Sequence, residues 1–180
     1  RMKPGTKAFL AGTYEGPDAV MELLAMNLYR LGAHQAKEIV FLADGAPWIW
    51  KRWPWIERAL GLDPSRVTYV LDWCHAVHHV GLAVAELRAS DDARWRIFNR
   101  LRRHLRAGRV DLVLRELRER GGRCRKGSEI RRVIDYLEGH RAHMDYKALR
   151  EAGRPMGSGA IESAVRRVIN QRLKGNGVVW

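Results

Sequence analysis

Apolar residues recur along this chain in two rhythms, and the places where one gives way to the other predict its elements. Residues 8–14 (AFLAGTY) are a short apolar, β-leaning run. Gly16-Pro17-Asp18 then opens a helical pattern that lasts to about Gly32, with Val20, Leu23, Leu24, Met26 and Leu28 spaced for one buried side. Residues 38–43 (EIVFLA) form a continuous apolar, β-branched run bounded by Asp44-Gly45, the pattern of a strand buried on both faces of a largely parallel sheet. Pro47 begins a second helix rich in tryptophan (Trp48, Trp50, Trp53, Trp55), whose rings we assign to core and sheet packing. Leu62-Asp63-Pro64 leads into a second buried strand, residues 67–71 (VTYVL), which ends at Asp72.

From Trp73 the pattern is helical almost to residue 150, with breaks near residues 89–92, at Ala107-Gly108 and at residues 121–127. Gly153-Arg154-Pro155 stops it, and Gly157-Ser158-Gly159 opens a last helix from Ala160 to about Leu173, closed by Gly175 and Gly177. No repeat or low-complexity tract interrupts this order. The reading is therefore β, α, β, α, β, a long helical block and one more helix.

Composition adds a partner. The 180 residues are 46% hydrophobic and 29% charged, enough apolar material for one packed core, or one core with a helical insertion. Lysine and arginine number 33 against 20 acids, a net charge of +13. Such an excess calls for a polyanion, since neutralising phosphates releases counterions. A GC-rich genome also favours arginine, but here the charge is clustered. Residues 94–126 hold 13 basic residues against Asp111, Glu116 and Glu119. Trp95, Ile97, Phe98, Leu101, Leu105, Val110, Leu112, Val113, Leu114 and Leu117 supply the apolar faces that let these helices pack. We read the segment as a DNA-backbone surface that gives affinity without sequence specificity. Cys74 and Cys124 are far apart and form no CxxC pair, so neither a disulfide framework nor a zinc ribbon is indicated, and a soluble, cytoplasmic setting with no membrane partner is expected.

Three carboxylates stand out. Asp44 and Asp72 end two successive strands, the edge at which α/β sheets bind ligands, and Glu162 lies in the first turn of the last helix. Carboxylates gathered from separate elements are what a pair of magnesium ions needs to activate an attacking oxygen and stabilise a leaving one. Each also has an ordinary explanation. Asp44-Gly45 is a common turn, Asp72 is placed to cap the next helix, and Glu162 suits a helix dipole or a pair with Arg166. His75 and His79, one helical turn apart, invite a zinc reading, but the zinc-protease pattern requires glutamate where Ala76 stands.

The stretches FLADGAPWIW (41–50), VLDWCHAVHHV (70–80) and GRPMGSGAIESAVRRVINQRLKGNGVVW (153–180) resemble segments of bacterial insertion-sequence transposases with a Mutator-like DDE core, over nearly the whole chain. The resemblance implies an α/β fold: an RNase H-like core, N-terminally incomplete, interrupted by a large all-α insertion. It divides the chain into a partial core (1–72), the insertion (73–152) and a C-terminal core helix (153–180) carrying the catalytic glutamate. It makes Asp44 the second catalytic aspartate and Glu162 the glutamate, both metal ligands, and matches Asp72 and His75 to the acid-or-cysteine, two residues, histidine motif that neighbours the site.

No residue matches the family's first aspartate, because Glu15 and Asp18 flank a Gly-Pro turn. The implied activity is metal-dependent DNA cleavage and strand transfer with two Mg2+ (or Mn2+) ions. The implied partners are double-stranded DNA, as transposon ends and target, and further copies of the chain in a homo-oligomeric transposition complex. By this reading the chain alone is inactive for want of the first aspartate. The alternatives are a non-catalytic basic helical DNA-binding module, a decayed transposase remnant, and a zinc hydrolase centred on His75 and His79.

Overall fold

The computed structural model describes residues 13–121 and 127–159. It contains seven α-helices among these residues and a two-stranded parallel sheet, a mixed α/β chain dominated by helix. The order is α1 (Pro17–Arg30), β1 (Ile39–Ala43), α2 (Pro47–Leu60), β2 (Val67–Leu71), α3 (Trp73–Ala85), α4 (Asp91–Arg106), α5 (Val110–Gly121), α6 (Glu129–Gly139) and α7 (Tyr146–Glu151). No described helix is long and apolar enough to cross a membrane.

The described chain falls into two compact units. The first comprises residues 13–39, 46–68 and 159, where α1 packs on α2 around Met21, Ala25, Trp53 and Ile56. Arg52 on α2 donates to Asp18 on α1 at 2.6 Å. Pro17 and Pro47 each start a helix, where the missing N–H is no loss. The buried side of α1 differs from expectation: Met26 is exposed, and Met21 and Ala25 carry the contact. The tryptophans divide likewise, with Trp53 buried and Trp48 and Trp55 exposed. Of the strand expected over residues 8–14, only Thr13 and Tyr14 are described, neither is in a strand, and Tyr14 is fully exposed.

The second unit comprises residues 40–45, 69–121 and 127–158, so it takes the C-terminal ends of both strands along with five helices. Here α3 packs on α4 and α6, and α5 packs on the same two helices, which closes a four-helix ring. Its interior is Val80, Val84, Leu101, Leu105, Val113, Leu117, Val133 and Leu137, all nearly inaccessible to solvent. Polar residues set the starts of α4 and α6. Ser90 accepts the Ala93 amide and Ser128 the Arg131 amide. Glu86, at the end of α3, accepts the Glu129 and Ile130 amides, adding a carboxylate to the positive end of α6.

Trp95 departs from its expected role on a packing face, since it is 64% exposed. β1 also departs from burial on both faces: Phe41 and Ala43 are buried while Val40 and Leu42 are half-covered. An alternating strand of this kind belongs to a sheet with one side less fully packed.

Candidate functional site

The site is built at the C-terminal ends of β1 and β2, within the second unit. The Asp72 amide donates to the Ala43 carbonyl at 2.8 Å, so the residues that follow the two strands, Asp44 and Asp72, begin beside each other. Phe41 and Tyr69 meet edge-to-face with ring centroids 5.8 Å apart, fixing the pair just below this edge.

Asp72 has no solvent exposure. One carboxylate oxygen accepts the Cys74 amide at 2.7 Å and the His75 amide at 3.1 Å, capping α3. The other accepts the Ser158 amide, and the Ser158 hydroxyl also bonds the carboxylate. Burial pushes its acidity one way and these donors push it further the other, so the carboxyl is held below its usual range. A carboxylate offers about four acceptor positions, and four donors fill them. The Trp73 amide donates to the Met156 carbonyl at 2.8 Å, and the buried Tyr146 hydroxyl donates to the Leu71 carbonyl at 3.0 Å. The end of β2 is thus a node joining α3, α7 and the Met156–Ser158 segment.

Asp44 sits half-buried at the end of β1, followed by Gly45. The Tyr136 ring of α6 lies so close to Gly45 that a Cβ there would overlap it. The Tyr136 hydroxyl is buried and is without a hydrogen-bond partner among the described residues. Burial pushes that phenol up to about 12, with the Asp44 and Asp72 charges adding to the rise and the neighbouring Gly45 backbone opposing it. Around this point runs an aromatic chain: His79 to Tyr136 at 4.0 Å, Tyr136 to His140 at 5.1 Å, His140 to His143 at 6.0 Å, and His143 to Tyr69 at 5.8 Å. Burial holds the imidazoles of His79, His140 and His143 below the ordinary histidine value, with the His78 charge adding to the effect on His79 and the His140 charge to that on His143.

Of the residues singled out from sequence, the structure brings Asp44, Asp72 and His75 to one strand edge, while Glu162 lies outside the described residues. Asp44 follows β1 at this edge, and Asp72 ties the end of β2 to α3 and Ser158 through the Cys74, His75 and Ser158 amides. His75 and His79 share a face of α3, but His79 is engaged with Tyr136, and no three His, Cys, Asp or Glu side chains converge as a metal site among the described residues. Of the two metal ligands expected from the sequence, the described residues therefore hold Asp44 alone.

Tyr136, His140, His143 and Ser158 were not visible as site residues in the sequence. Tyr136 has no spacing relation to Asp44, and only the packing of α6 brings it there. A hint was available for Ser158 alone, in the Gly-Ser-Gly punctuation around it.

The second feature is charge. The acids of the basic segment are all paired: Glu116 with Arg100 and Arg120, Glu119 with Arg115, and Asp111 with Arg141. Arg94 pairs with Asp91 and Arg118 with Glu138. Arg96, Arg102, Arg103, Arg106 and Arg109 are exposed and have no acidic partner among the described residues. Among the described residues of the segment, the arginines without acidic partners thus lie on one side of α4 and its C-terminal turn.

No family model, no curated protein and no solved structure matches this chain.

Proposed function

We propose that the chain is a DDE-type transposase, or part of one, catalysing metal-dependent DNA cleavage and strand transfer of an insertion sequence. The observation that carries the reading is the pairing of Asp44 and Asp72 at the carboxyl ends of two adjacent parallel strands, tied by the Ala43–Asp72 hydrogen bond. In this reading the two strands belong to an RNase H-like core and the four-helix ring is its insertion.

Asp44 and Glu162 are the proposed ligands for Mg2+ or Mn2+. Bound there, such ions would supply an activated oxygen nucleophile and charge stabilisation for the leaving oxygen. Asp72 holds the strand edge, α3 and the segment leading toward Glu162 in register. His75 neighbours the site and contacts DNA near the scissile phosphate. The unpaired arginines of α4 hold the DNA backbone, and further copies of the chain complete the transposition complex.

Thermal denaturation of the whole chain with and without Mg2+ or Mn2+ tests this. A stabilisation that disappears in both Asp44→Ala and Glu162→Ala is expected, because a ligand bound only by the native state raises its stability. A response that survives in both variants removes the catalytic reading.

The filled acceptor positions of Asp72 favour one alternative, a basic helical DNA-binding module in which the acids serve as caps and ion-pair partners. It predicts DNA binding with no metal response at all.

A further inference from the structure

One side of α4 combines an uncovered aromatic ring with uncompensated charge. Trp95 is 64% exposed, against 37% and 41% for Trp48 and Trp55, so it is the least covered tryptophan among the described residues. Its ring stacks on Phe98, with centroids 6.2 Å apart and planes 29° from parallel, which fixes its orientation while most of its surface stays in water. Trp95, Asn99, Arg102 and Arg106 follow the spacing of one helix face, and Arg96 and Arg103 flank them. Arg102 lies two turns beyond Trp95, about 10 Å along the axis, and Arg106 one turn further.

The acids of α4 itself, Asp91 and Asp92, stand at its other end. Asp91 is paired with Arg94, and Asp92 stands in the first turn, ahead of the tryptophan. The charge carried by α4 itself therefore grows more positive from Trp95 toward its C-terminus. Beside the face runs a groove of about 520 Å³ between α3 and α4, walled by Trp73, Val77 and Phe98 with Arg102 among its lining residues.

An exposed aromatic face next to a track of cations matches a nucleic-acid strand whose bases are accessible. In closed duplex each base is stacked on its neighbours, so a tryptophan finds only phosphates and sugar. An unpaired base offers a flat apolar face to the ring and its phosphates to the arginines, and such stacking tolerates any base. We propose that α4 binds unpaired DNA, with Trp95 stacking on an exposed base and Arg102 and Arg106 holding the adjoining phosphates. This rests on the DNA-binding part of the reading above and not on the metal site. It would let the protein seize frayed or nicked ends in preference to intact duplex.

The test is fluorescence anisotropy of the whole chain with a labelled single-stranded DNA oligonucleotide and with the same sequence as duplex, in EDTA. Tighter binding of the single strand is expected. Trp95→Ala should weaken it by roughly tenfold while changing duplex binding less than about twofold, and Trp95→Phe should retain most of the affinity. Arg102→Ala should weaken both forms, since it removes a phosphate contact.

Because Trp95 is exposed, Trp95→Ala is expected to keep the wild-type thermal midpoint; if it does not, Trp95→Phe against Trp95→Leu repeats the comparison at similar bulk. Duplex bound as tightly as single strand, or an equal effect of Trp95→Ala on both, overturns the proposal. A matching RNA strand bound more tightly than DNA overturns the choice of partner. Failure of the metal reading leaves these results intact, whereas failure to bind DNA of either form ends this proposal and the DNA-binding module alike.

Discussion

The Asp72 carboxylate accepts the amide of Ser158, a residue 86 positions away, and holds it against the start of α3. Through this contact a side chain that caps a helix also anchors the segment preceding Glu162. Asp72→Ala would strand the Cys74, His75 and Ser158 amides, and a destabilisation of about 3 kcal/mol is expected from a lost cap and buried unpaired donors. Urea unfolding measures it. A loss below about 1 kcal/mol would show that water replaces the carboxylate and that the node is not structural.

The same residue sets an acid limit. Its folded carboxyl is held below its ordinary value, so the stability it contributes is fully present above the unfolded value, near 3.8, and is lost as pH falls through the lower folded value. Below about pH 4 the wild type should lose stability more steeply than Asp72→Asn, which has no carboxyl to titrate. Parallel slopes for the two proteins would place the acid sensitivity elsewhere.

Gly45 is required by its neighbour rather than by its backbone. Its φ is not in the left-handed region, yet a Cβ would overlap the Tyr136 ring. Gly45→Ala should cost about 2 kcal/mol in the wild type through overpacking, and nearly nothing in a Tyr136→Ala background. Tyr136→Phe removes a buried hydroxyl that has no hydrogen-bond partner among the described residues and should leave stability unchanged or slightly raised. Additive effects of Gly45→Ala and Tyr136→Ala would mean that the two residues do not touch in solution.

Near neutrality the histidines govern the pH response. His79, His140 and His143 are held below their ordinary value by burial, so the folded state prefers them uncharged. Their contribution is fully present above the unfolded value of about 6.5 and is lost as pH falls from there through the depressed folded values. The thermal midpoint should drop between about pH 7.5 and 5.5, and His79→Phe, which keeps a ring against Tyr136, should reduce the drop. An unchanged slope in that variant would remove His79 from the account.

On DNA, the arginines of α4 without acidic partners should act through counterion release. Removing Arg102 or Arg106 is expected to lower the slope of log affinity against log salt by about 1 each. Arg100→Ala should change the slope less, because that guanidinium is already committed to Glu116. Measured slopes that rank the other way would contradict the division between paired and unpaired arginines.

Much of the local structure was legible without coordinates. Residues 39–43, of the run expected over 38–43, and residues 67–71 form strands that end at Asp44 and Asp72, and the breaks near residues 89–92 and 107–108 fall at the junctions of α3, α4 and α5, while most of the break expected at 121–127 lies outside the described residues. Period and punctuation are local, so one sequence suffices to read them. The capping of α3 by Asp72 was legible for the same reason, since donor and acceptor lie within one helical turn. Whether Met26 or Met21 faced inward was not, because a helix with apolar residues on several sides lets its neighbour choose. The exposure of Trp95 was equally hidden: a tryptophan on an amphipathic helix reads as core until the partner helix is found not to cover it.

The sequence by itself determined the two strands that end at Asp44 and Asp72, the helical pattern that follows Trp73, the capping of α3 by Asp72 and the excess of positive charge. Tertiary structure alone decided how those pieces act. It gathered the Cys74, His75 and Ser158 amides on Asp72 and brought Tyr136 from α6 to the Asp44-Gly45 turn. It also paired some arginines while leaving others exposed. These outcomes depend on contacts between residues distant in the chain, and the free energy of such contacts is set by which surfaces meet, a quantity that no local pattern of residues encodes.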